Sequence, residues 1–170
     1  MSKINQNNII EVFYKLVPIT LLFISVLNEI DFNNLGIKYF SFNFSYILIF
    51  YYSLKKTKSF SYGLIFIAGL FNDVVVGTPM GISSLIYLLL CGSAAYLRNI
   101  TLRPNLMKDW IFFLITILII KSFSFLILTF IFDYEVILFD QMINITFTFI
   151  LYLIFIYLLN FIKTNLLGVN

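Results

Sequence analysis

Asp73 stands inside an apolar run, with Gly69 four residues before it and Gly77 four after. On a helix these three share one stripe. Pro79 and Gly81 follow, and they break the helix and turn the chain. An ionisable group at membrane depth is costly, so it faces protein or a cavity rather than lipid. The flanking glycines let another backbone approach. Two readings of Asp73 stand side by side. It is a structural acid, hydrogen-bonded to Asn72, Thr78 or a neighbouring helix, or it is a functional contact or ion ligand. Lys121 is the basic group in the middle of another run, about 11 residues or some 16 Å from either end. A pair between Asp73 and Lys121 would lower the desolvation cost of both.

Other chemistry is scarce. Histidine is absent and Cys91 is the single cysteine. That excludes intrachain disulfides, histidine metal sites and histidine-dependent triads. An aspartyl site needs two acids on facing spans, but Asp133 and Asp140 fall at the ends of runs. There is no H-E-x-x-H and no phosphate-binding glycine loop. The expectation is a protein without a catalytic centre, cofactor or metal.

The elements that must position Asp73 follow from composition. Of 170 residues, 61% are hydrophobic and 11% charged, against about 25% charged in a soluble domain. Mean hydropathy is +1.00. So little polar surface cannot coat a globule, and a bilayer is the expected solvent. The net charge of +3 does not signal nucleic acid, because the charges gather in short segments between apolar runs.

Apolar runs cover about 12–27, 39–54, 61–76, 82–97, 110–132 and 139–162. The expected fold is all-α: one polytopic integral membrane domain over 1–170 with six transmembrane helices. No small-residue cleavage site follows the first run, so it reads as an uncleaved span. Ser41, Asn43 and Ser45 weaken the second. The fourth carries small residues at Gly81, Ser84, Cys91, Gly92 and Ala95, a face for packing against the third or for a partner. Trp110, Tyr51 and Tyr52 fit interfacial anchors. Asn144 and Thr146 can bond across helices.

Loop charges set the orientation. Lys3 and Lys15, then Lys55, Lys56 and Lys58, then Arg98, Arg103 and Lys108, and finally Lys163 alternate with segments poor in positive charge. Six spans with the N- and C-termini in the cytoplasm satisfy the positive-inside rule at every loop. The third and fourth spans are short, about 16 residues or roughly 24 Å against a core of roughly 30 Å. Their turn is therefore expected below the outer membrane surface, buried in protein or wetted by a cavity.

The stretch GLIFIAGLFND at 63–73, followed by GTPMG at 77–81, resembles the signature of the rod shape-determining protein MreD family. Gly69, Asp73, Gly77, Pro79 and Gly81 carry the match. The likeness is close over 62–98 and loose elsewhere. The sequence departs from the family in its Lys-rich loop at 55–58 and in a second span without the usual proline at its start.

The resemblance implies a non-enzymatic, multi-pass subunit of the cell-elongation machinery in the bacterial inner (cytoplasmic) membrane. It implies association with an MreC-like membrane-anchored protein, an MreB-like actin homologue, and the peptidoglycan glycosyltransferase and transpeptidase. The competing expectation is the substrate-binding subunit of a vitamin-type transporter. The first span lacks the alanine-rich small-residue face by which such subunits commonly dock.

Overall fold

The computed structural model describes residues 16–26, 41–55, 60–101, 105–135 and 137–167, the stretch 162–167 as backbone only. Among them are six helices and no strand: α1 (Leu16–Val26), α2 (Phe44–Leu54), α3 (Tyr62–Val76), α4 (Ile82–Ile100), α5 (Leu106–Phe132) and α6 (Leu138–Leu167). Two of them, α5 and α6, are long and apolar enough to cross a membrane. Residues 12–15, 27 and 39–40 of the expected spans lie outside the described residues. So do Lys3, Lys15, Lys56, Lys58 and Arg103 of the expected charge pattern.

The run that polar residues weaken proves to be the centre of the bundle. Ile47, Leu48, Ile49 and Phe50 of α2 have no exposed surface, so every side of this helix is covered. An all-round apolar helix belongs in such a place. The polar residues that dilute its start are the ones that tie it down. Ser45 shares a hydrogen bond with Ser25 of α1 at 2.9 Å. The Asn43 backbone N–H donates to Thr148 at 3.0 Å, and its side chain donates to Asn144 at 3.0 Å, both on α6. Asn144 in turn donates to Ser41 at 2.9 Å. Residues 41–43 are not helical, so α2 starts later than the run from 39 suggests.

Around α2 the others close in turn. α4 packs against α2, α3 and α5, while α6 packs against α5 and α2. Phe50, Phe113 and Tyr152 join α2, α5 and α6, with Phe113 and Tyr152 stacked at 4.1 Å. Large apolar side chains also cover the outside: Phe130 is 78% exposed, Tyr157 76% and Met80 71%. An outer surface of this kind favours lipid or partner contact over water.

Two expected anchors lie within the bundle instead. Tyr51 is buried and donates to Asn160 at 2.7 Å. Trp110 is half-buried, stacks on Phe149 at 4.4 Å and donates to the Phe149 carbonyl at 3.0 Å. Asn144 bonds across helices as expected, whereas Thr146 donates back to Met142 within α6.

Candidate functional site

The α3–α4 hairpin is built from the spacing of five residues. On α3 the buried positions are Ile65, Ala68, Gly69, Asn72 and Asp73, the i, i+3, i+4 rhythm of a single face. Gly69 meets α4 directly. A Cβ added there would stand 2.5 Å from the Ser84 nitrogen and 2.8 Å from its hydroxyl oxygen. The missing side chain is therefore what lets the two backbones touch. Ser84 secures the crossing by donating to the Phe66 carbonyl at 2.9 Å.

Gly77 has a different task from the one its spacing suggests. Nothing lies within 4 Å of a Cβ built on it. It ends α3 in the left-handed conformation at φ 76°, which favours glycine. The Gly77 and Thr78 N–H groups both donate to the Asp73 carbonyl, at 2.9 and 3.1 Å. Pro79 then opens a tight turn closed by the Ile82 N–H on its carbonyl at 3.3 Å. Gly81, at φ 101°, is the turn residue that needs positive φ.

Gly81 is also the N-cap of α4, and it has no side chain to offer the exposed amides there. Asp73 supplies the cap from the neighbouring helix. One carboxylate oxygen accepts from the Gly81 N–H at 2.7 Å. The other accepts from the Ser83 N–H at 2.9 Å and from the Thr78 hydroxyl at 2.9 Å. Three donors converge on a side chain that is 1% exposed. The positive end of the α4 dipole adds to the attraction. Beside it, Asn72 donates to the Ser83 hydroxyl at 3.0 Å.

Lys121 is not part of this arrangement. No ion pair joins it to Asp73 among the described residues, and its ammonium lies 5.1 Å from the centre of the Tyr46 ring. The reason is local: the hairpin's own donors occupy both Asp73 oxygens, so the acid needs no lysine.

The small-residue face of α4 is only partly the expected one. Ser84 and Cys91 are buried, and Cys91 accepts from Ser53 of α2 at 3.2 Å. Gly92 is exposed, and the buried small residue of that turn is Ala94. Sequence reasoning also missed the far end of α4. There Arg98 donates to the Ser53 carbonyl in the last turn of α2, a cation at a helix C-terminus. No group of three or more potential metal ligands occurs among the described residues.

Comparison of the chain with protein-family models, with curated proteins and with solved structures finds no match.

Proposed function

We propose that the chain is a six-span protein of the bacterial cytoplasmic membrane, both ends in the cytoplasm, and a non-enzymatic subunit of the cell-elongation machinery. The observation that carries this reading is the hairpin. Gly69, Asp73, Gly77, Pro79 and Gly81, the residues of the MreD-like signature, each meet a separate requirement of one bend. The acid is consumed in closing that bend, which suits an element that holds a surface in place rather than one that turns over a substrate. Val74, Val76 and Met80 lie exposed along the same bend, and we assign this apolar edge to contact with partner helices. The partners are an MreC-like anchored protein, an MreB-like filament and the enzymes that extend sidewall peptidoglycan.

Depletion in the native host tests the reading, together with copurification from membranes. Rounded cells and recovery of a single-span coiled-coil partner are expected. Cells that keep their shape and lose uptake of one vitamin would assign the chain to transport instead.

A further inference from the structure

A second polar cluster lies at the end of α4 away from Asp73. There α2, α4, α5 and α6 border a cavity of about 100 Å³. Lys55, Arg98, Asp109 and Tyr152 face it, with Leu54 and Ile156 among the apolar residues of its wall. Four features bear on what it holds.

Tyr152 is fully buried, and its hydroxyl has no hydrogen-bond partner. A buried hydroxyl in that state is costly unless something enters to meet it. Arg98 commits a donor to the Ser53 carbonyl, from a guanidinium that carries five. Lys55, 5.8 Å from the centre of the Tyr51 ring, brings a second cation. Asp109 is the single acid of the lining. Burial pushes its carboxyl above the usual range, with Lys55 pulling the other way. The cations outnumber the acid, and much of the wall is apolar. Arginine, lysine and hydroxyl donors together are the recognition set for a phosphate oxygen.

We propose that this cavity binds a phosphate group, supplied by the headgroup of an anionic membrane lipid. The apolar wall favours a phosphate that arrives on a hydrocarbon carrier, and a basic pocket between helices on the cytoplasmic side is where such headgroups sit. The choice of leaflet rests on the membrane reading above; binding of phosphate does not.

Native mass spectrometry of the full chain in neutral detergent tests this with phosphatidylglycerol and phosphatidylcholine offered in equal amounts. Wild type should retain phosphatidylglycerol about tenfold over phosphatidylcholine, because both lipids offer the same phosphate and only the second brings a quaternary ammonium toward Lys55 and Arg98. Lys55→Gln should bring the ratio close to one and Tyr152→Phe should weaken retention of both lipids alike, with the protein still folded by circular dichroism. Asp109→Asn should raise the ratio, because it removes the one repulsive charge. Equal retention of the two lipids by wild type, or a lower ratio in Asp109→Asn, overturns the lipid assignment. A parallel melting series in inorganic phosphate separates the sources. A stabilisation that Lys55→Gln abolishes, without any lipid preference, would keep the phosphate site and assign it to a soluble ligand. Loss of the six-span topology with lipid preference intact would overturn the orientation alone.

Discussion

The two ends of α4 solve the same problem with opposite charges. At its N-terminus a carboxylate from α3 meets bare amides; at its C-terminal end a guanidinium from α4 meets a bare carbonyl of α2. Both use the sign that the helix dipole favours. Ser83 and Arg98, at the two ends, lie about 22 Å apart along the axis. They differ in enclosure. The acid is 1% exposed, reaches its donors across one short turn and occupies both oxygens. The base is half-buried, reaches across 45 residues of chain and faces a cavity. A charge that its own bend neutralises makes a rigid joint. A charge left beside a cavity makes a place where something else can bind.

If the hairpin end is the rigid joint, it should be the more sensitive to substitution. Gly69→Ala places a methyl against the Ser84 backbone, and overpacking of this kind costs about 1–3 kcal/mol, with Gly69→Val costing more. Gly63→Ala, with open space around it, should leave the melting temperature unchanged or raise it. Equal effects at both glycines would dissolve the comparison. Asp73→Ala strands three donors, and about 3 kcal/mol or more of stability should go, since each buried unsatisfied group costs about 1–3 kcal/mol. Asp73→Asn keeps an acceptor and should lose about half as much. Denaturation in micelles reads both.

At the other end the effects should be smaller. Arg98→Gln weakens one contact at a half-buried site that water can reach, so a loss of about 1 kcal/mol is expected. Asp109 sharpens the contrast through pH. Its native carboxyl binds a proton more tightly than the unfolded one. Its contribution is therefore fully present below the usual carboxylate range and lost as pH rises through the raised value. Asp109→Asn should flatten that part of the melting-temperature profile, and an unchanged slope would show that the group lies in water.

Legibility in the sequence followed the same division. The hairpin could be read because glycine, proline and a lone acid act over a few residues, so spacing alone carries them. Even there the spacing reads Gly77 as a packing glycine, because a stripe of small residues cannot distinguish a close approach from a positive φ. The second helix was hard to read because the polar atoms of Ser41, Asn43 and Ser45 find partners more than 100 residues away, or on α1. Hydropathy counts such atoms as exposed. The Arg98 contact, the Tyr152 cavity and the rotation that buries Ala94 rather than Gly92 depend on how distant helices turn toward one another. No local period records that rotation.

The central claim is that the Asp73 carboxylate caps the neighbouring helix. Amide hydrogen exchange at Gly81 and Ser83, measured by NMR on the full chain in micelles, tests it most directly. Both amides should be strongly protected in the wild type and should exchange far faster in Asp73→Ala, while amides in the middle of α4 stay protected. Fast exchange of Gly81 and Ser83 in the wild type, or protection indifferent to the substitution, would contradict it.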